Sequence, residues 1–238
     1  MFGYYGYYGY SSGYYIGTIL VLLAALLGFY AQYKVQAAYK KYSQVRSRCN
    51  KTGAQVAREI LDSQGLYHID VRQVSGTLTD HYNPSQNVIN LSSGIYNSTS
   101  ISAVSVAAHE CGHAIQYKVG YAPIKMRNAV LPVANMGQYL GWISIMLGLA
   151  IGNTRLAVVG VLLMCGILLF QLITLPVEFN ASNRGLEILK DRYLDADEIG
   201  GSYKVLQAAA LTYVAAMIST LMSILRIVLM IFGSSRRD

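Results

Sequence analysis

Charge is scarce in this chain. Of its 238 residues only 13% are Asp, Glu, Lys or Arg, about half the share usual in a soluble domain. Apolar residues make up 53%. A chain so composed has too little polar surface to face water throughout, and it is predicted to be a mainly α-helical integral membrane protein. Cysteine is also scarce. Cys49, Cys111 and Cys165 are the three present, one in an apolar run and one in a polar motif. That excludes a disulfide framework and fits a reducing compartment. No basic residue precedes the first apolar run and no small-residue cleavage site follows it, which argues against a cleavable signal peptide. No RNA- or DNA-binding motif accompanies the net charge of +7. Its basic clusters lie beside apolar runs, where they act as orientation signals, so no nucleic-acid partner is expected.

The apolar runs divide the chain. Residues 1–15 form an uncharged Tyr/Gly-rich tail, whose last tyrosines suit a membrane interface. Residues 16–33 are long enough for a first transmembrane helix. Residues 128–177 read as a transmembrane hairpin about the Gly152-Asn153-Thr154-Arg155 turn, and residues 205–232 as a fourth span. Arg226 interrupts the last run and is expected to snorkel to the interface. Eleven of the 19 basic residues fall between Lys34 and Arg127, and four more between Arg184 and Lys204. By the positive-inside rule both segments, 34–127 and 178–204, are cytoplasmic. Arg236 and Arg237 run against this pattern, since four spans place them outside.

The 34–127 segment is the one able to form a water-facing domain, predicted to be small and α+β. Lys51 to Gln64 reads as an amphipathic helix ended by Gly65. Strand character runs from His68 to Leu91 around an Asn83-Pro84-Ser85 turn. Val88 to Leu91, taken as an edge strand, offers a place to align an extended substrate. Asn97-Ser98-Thr99-Ser100 offers caps for the next helix.

That helix carries His109-Glu110-Cys111-Gly112-His113, an H-E-x-x-H motif. Residues four apart share a helix face, so His109 and His113 can direct ring nitrogens at one metal. Glu110, about 100° round the helix, stands beside that metal and within reach of an activated water. Cys111 lies on another face. Ala107, Ala108, Gly112 and Ala114 leave room for other elements near the metal. A catalytic zinc takes three protein ligands and leaves one position open, and no histidine follows His113. A downstream third ligand is therefore acidic, and Glu178, Glu187, Asp191, Asp195, Asp197 and Glu198 are the candidates. Glu178 is favoured. It is the first charge after the third apolar run, just past Pro176, in a position to open a helix. Its face continues with the small residues Ala181, Ser182 and Gly185. His68 reads as structural or surface; His81 is a candidate transition-state or cleft residue.

Gly76-Thr77-Leu78-Thr79-Asp80-His81-Tyr82, Val106-Ala107-Ala108-His109-Glu110-Cys111-Gly112-His113-Ala114-Ile115-Gln116 and Leu175-Pro176-Val177-Glu178-Phe179-Asn180-Ala181-Ser182 together resemble the YugP-type neutral zinc metallopeptidases of bacterial membranes. The resemblance covers most of the chain after the tail. More distantly the chain is similar to the HtpX and CAAX-prenyl protease group, where a membrane hairpin separates the motif from a glutamate opening E-x-x-A-D. Here Glu178 takes the ligand position and Ala181 the alanine, but Ser182 stands in place of the aspartate. Asp80 and Asn183 are the candidates to replace that partner of a ligand histidine.

The expected function is a membrane-anchored, gluzincin-like zinc metalloendopeptidase. It would sit in the inner (plasma) membrane of a bacterium as a multi-pass protein, its site facing the cytoplasm. Zn2+ would be held by His109, His113 and Glu178, and a zinc-activated water would attack a peptide bond with Glu110 as general base. The expected partners are a protein or peptide substrate, which can itself be membrane-associated, and the lipid bilayer; an oligomer is compatible. The alternative is a non-enzymatic membrane scaffold or regulator with a structural metal site. A small transporter is disfavoured, because the spans carry almost no ionisable residues.

Overall fold

The structure is a computed structural model that describes residues 12–233. Most of the Tyr/Gly-rich tail and the Arg236-Arg237 pair lie outside the described residues. The elements run α1 (Ser12–Ser43), α2 (Gly53–Ser63), β1 (Asp70–Val74), β2 (His81–Asn83), β3 (Val88–Ser92), α3 (Ser93–Tyr96), α4 (Ile101–Lys118), α5 (Ala122–Ala150), α6 (Thr154–Arg192) and α7 (Ala196–Gly233). Four helices among the described residues, Gly13–Ser43, Ala122–Ala150, Thr154–Arg192 and Ala196–Phe232, are long and apolar enough to cross a membrane. The protein is thus mostly helical, with a small three-stranded sheet.

Helix α1 begins within the predicted tail, so Ser12 to Tyr15 are helical. It also continues well past Tyr33, because neither Gly nor Pro interrupts 29–43 and its lysines are good helix formers. Helix α6 differs from expectation in the same way. It runs unbroken from Thr154 to Arg192 with Pro176 inside, so Glu178 lies within a helix and does not open one. The proline removes one ladder bond, and near that break the Val177 carbonyl accepts a 2.7 Å bond from Gln116 Nε2 of α4. Tertiary contact thus supports a helix that local rules would end.

The chain divides into two compact units. One comprises residues 1–28, 130–171 and 215–238, of which 12 onward and up to 233 are described. Its buried residues include Ile145, Ala157, Met164, Ile224 and Ile227. The hairpin there packs through small residues, as helices do in lipid. Gly141 and Gly160 approach so closely that a Cβ on either would press on the other's carbonyl. Its outer faces are apolar, with Leu22, Leu26, Val133, Met136 and Leu162 exposed.

The other unit comprises 29–129 and 172–214 and surrounds α4. Helix α2 opens with a capping box: Gln55 N–H donates to Thr52 Oγ1 at 3.2 Å and Thr52 N–H to Gln55 Oε1 at 2.8 Å. Gly65, at φ +68°, ends the turn that follows. Ser100 caps α4 by accepting from Ala103 N–H at 3.2 Å. Strand order is β1-β3-β2, with β1 parallel and β2 antiparallel to β3. Val88–Leu91 is therefore the central strand, paired on both sides. The edges are instead β1 and β2, because β3 returns to lie between them. The core of this unit is Val56, Ile60, Leu61, Ile89, Leu91, Val104, Cys111 and Leu189. Thirteen of the 18 residues of α4 are buried, so its polar groups need partners inside. Ser105 Oγ donates to Ile101 O at 2.6 Å and shares a 2.8 Å hydrogen bond with Ser202 Oγ, and Ser102 Oγ donates to Tyr39 O at 3.2 Å.

Candidate metal centre

Helix α4 presents His109 and His113 one turn apart, their rings edge-on with centroids 4.7 Å apart. Helix α6 brings Glu178 to them by a backbone crossing that tolerates no side chain. A Cβ on Gly112 would overlap the Ala181 carbonyl oxygen, and one on Gly185 would come within 2.9 Å of the Ala108 carbonyl. The small face of α6 read from the sequence is the face that makes this approach.

The potential ligand atoms of His109, His113 and Glu178 all lie within 4.8 Å of one another. Glu178 Oε2 is 3.5 Å from His109 Nε2 and 3.6 Å from His113 Nε2. Two ligands on tetrahedral zinc with bonds of about 2.1 Å stand roughly 3.4 Å apart, so the observed spacing suits an ion between them. Glu178 is 3% exposed, and its Oε2 is buried without a hydrogen-bond partner. A lone carboxylate oxygen in that setting is costly unless a cation completes it. Two imidazoles and a carboxylate are moreover the donor set zinc prefers. The residues fit the metal.

Hydrogen bonds fix the His113 tautomer in the form that a metal needs. Gln116 is fully buried. Its amide donates to Val177 O at 2.7 Å and to Asn180 Oδ1 at 3.1 Å, leaving its oxygen to accept from His113 Nδ1 at 3.1 Å. Arg184 Nε donates to the same Asn180 Oδ1 at 2.8 Å, which holds the amide in that orientation. With Nδ1 protonated, His113 Nε2 presents its lone pair towards Glu178. His109 Nδ1 lies 3.1 Å from Ser182 Oγ, a hydroxyl able to accept its proton. Burial disfavours a charged His113 ring, but the Glu178 and Glu110 carboxylates outweigh it and raise its pKa. The same two carboxylates favour a cation.

The histidine partners are thus Ser182 and Gln116, which corrects the expectation of Asp80 or Asn183. Asp80 is taken by β3, accepting from Ser92 N–H at 2.7 Å and Ser92 Oγ at 3.2 Å. Burial pushes its carboxyl up and those bonds oppose the shift. Asn183 is exposed. Ser182, three residues before Gly185 on the small face of α6, is the residue that reaches His109.

The other acidic candidates are engaged or distant. Asp195 and Asp197 pair with Arg48 at 2.9 and 2.6 Å, and Glu198 accepts from Arg48 N–H and Asp195 N–H. Glu187 and Asp191 are exposed. Cys111 points away from the histidines, its thiol on Ala57 O at 3.5 Å, and burial pushes its pKa up. It therefore stays a thiol and cannot close the site.

Glu110 is 7% exposed, and its Oε2 accepts the Tyr82 N–H of β2 at 2.9 Å. The Tyr82 ring is held edge-on by Tyr117 at 5.6 Å. His109, Glu110 and Glu178 line a cleft of about 320 Å3 with Asp80, Val106 and Tyr213. His81 is not among its lining residues. Both His81 nitrogens are occupied, Nδ1 by Thr79 O at 2.9 Å and Nε2 by the Asn90 amide at 3.0 Å. His68 is exposed.

Gln116, Ser182, Tyr213 and Arg127, whose Nη1 is 4.0 Å from Glu178 Oε1, escape the sequence reading as site residues. Gln116 follows His113 by three and so shares its helix side, a signal that could have been used. Tyr213 sits in an apolar run, and Arg127 reads as one more orientation charge.

A family described as "Putative neutral zinc metallopeptidase" matches residues 17–232. "Putative membrane protease YugP" of Bacillus subtilis (strain 168) is 45% identical over 222 residues, which is 92% of this chain and 98% of the relative. No solved structure matches the chain. A match over nearly every residue joins a motif and a buried ligand cluster of the matching chemistry, and the chain belongs to this neutral zinc metallopeptidase family.

Proposed function

We propose that the protein is a membrane-anchored zinc endopeptidase whose site faces the cytoplasm, holding Zn2+ through His109, His113 and Glu178. The observation that carries this reading is the buried, unpartnered Glu178 Oε2, 3.5 and 3.6 Å from two ring nitrogens. Zinc bound there would supply a Lewis acid and an activated water. Glu110 receives the proton of the attacking water and passes it to the leaving amine. The Tyr82 N–H restrains one Glu110 oxygen and leaves the other for that task. Tyr213, which lines the same cleft beside Glu178, brings a hydroxyl to donate towards the scissile carbonyl.

A structural metal would be enclosed by four ligands, whereas this cluster opens on a cleft and has Glu110 beside it outside the ligand set. The cytoplasmic orientation rests on the basic segments 34–127 and 184–204. Membrane vesicles carrying the full chain test the reading. Inverted vesicles are expected to cleave added fluorescent casein, right-side-out vesicles to leave it intact, and 1,10-phenanthroline to abolish the cleavage until zinc is restored. Chelator-resistant cleavage would sink the metal assignment, and cleavage by right-side-out vesicles would sink the orientation.

A further inference from the structure

Between α1 and α7, with Phe179 of α6 at its wall, lies a groove of about 570 Å3, a size typical of small-molecule sites. On α1 its wall is Tyr30, Lys34, Ala37, Ala38 and Lys41, spaced by four, three, one and three residues. On α7 it is Lys204, Gln207, Ala208, Leu211 and Val214. Each set is one helix stripe, so both helices turn a single composed face to the groove. Lys34, Lys41 and Lys204 line it and no carboxylate does. All three lysines are exposed, and none pairs with an acid among the described residues. Lys34 and Lys41 instead stand over Tyr30 and Tyr42, each 5.4 Å from the ring centroid.

The groove also has direction. Gly201, one turn before Lys204, packs on the Tyr42 ring. Lys41 and Lys204 therefore share one end, while Leu211 and Val214 continue down α7 towards its apolar stretch. A cationic mouth above an apolar floor, on helices of membrane-spanning length, matches an amphiphile with an anionic head.

We propose that this groove binds an anionic phospholipid, with its phosphate between Lys41 and Lys204, Lys34 beneath them, and an acyl chain along Ala208, Leu211 and Val214. The chain's own first 15 residues carry no charge and offer the lysines nothing to pair with. Ala210 borders both this groove and the metal cleft, so a bound lipid lies against the helix that carries Tyr213. The inference stands independently of the metal reading.

Native mass spectrometry of the full chain in neutral detergent tests it, with phosphatidylglycerol and phosphatidylcholine as probes and inorganic phosphate as competitor. Wild type is expected to retain about one phosphatidylglycerol in preference to phosphatidylcholine. Lys41→Gln/Lys204→Gln is expected to weaken that binding about 30-fold, roughly fivefold for each lysine. Lys40→Gln/Lys125→Gln removes the same charge outside the groove and should bind as wild type does. Circular dichroism confirms that each variant is folded. Equal retention of both lipids, or equal loss in the control pair, would overturn the proposal. So would displacement by inorganic phosphate at concentrations far below those of competing salt, which would mean an anion site without a lipid.

Discussion

Glu110→Gln is expected to lower peptide turnover by about 10²–10⁴-fold while zinc content and substrate affinity stay near wild type. The glutamine keeps the shape of the side chain and can still accept the Tyr82 N–H, which in the wild type bonds Glu110 Oε2 at 2.9 Å. It has no basic oxygen to receive a proton. None of the ligand atoms within 4.8 Å of one another belongs to Glu110, so the metal should remain. Casein cleavage measured beside zinc content separates the two effects. A variant that loses zinc together with activity would make Glu110 a ligand rather than a base, and a fully active variant would remove it from the chemistry.

Gly112→Ala should produce the second large effect, and its sign runs against helix propensity. In an open helix, Gly→Ala stabilises by roughly 1 kcal/mol. Here the new methyl meets the Ala181 carbonyl of α6, a backbone atom that cannot rotate aside. Forcing α4 and α6 apart is expected to cost about 1–3 kcal/mol and to draw Glu178 away from both histidines, with loss of zinc. Gly166→Ala is the control within α6, because a Cβ there meets nothing within 4 Å. Thermal unfolding should fall for Gly112→Ala and hold or rise for Gly166→Ala. Unchanged stability and zinc in Gly112→Ala would mean that the crossing is looser than described.

Local chemistry made much of this architecture legible. The apolar runs of α1, α5, α6 and α7 stand out because a membrane-spanning helix must be apolar along its length. The capping box at Thr52, the stop at Gly65 and the Ser100 cap follow from short-range hydrogen bonding. The small face Ala181-Ser182-Gly185 pointed to a close helix approach because only small side chains permit one. Elements decided by distant contacts were misread or invisible. Pro176 reads as a helix start from propensity alone, yet α6 passes through it while Gln116 reaches the neighbouring carbonyl at 2.7 Å. Val88–Leu91 reads as an edge, although it is the strand that returns between β1 and β2. The Ser182 and Gln116 bonds to the histidines depend on which face of α6 meets α4, and no local pattern states that. Tyr213 reaches the cleft from more than a hundred residues away, out of a run whose composition says only membrane.

Metal content of the detergent-purified full chain, compared among wild type, Glu178→Ala and the folded reference Glu110→Gln, tests whether His109, His113 and Glu178 hold zinc. About one zinc per chain is expected in wild type and in Glu110→Gln, with strong loss in Glu178→Ala. Full zinc retention in a folded Glu178→Ala, or no metal in folded wild type, would contradict this ligand set.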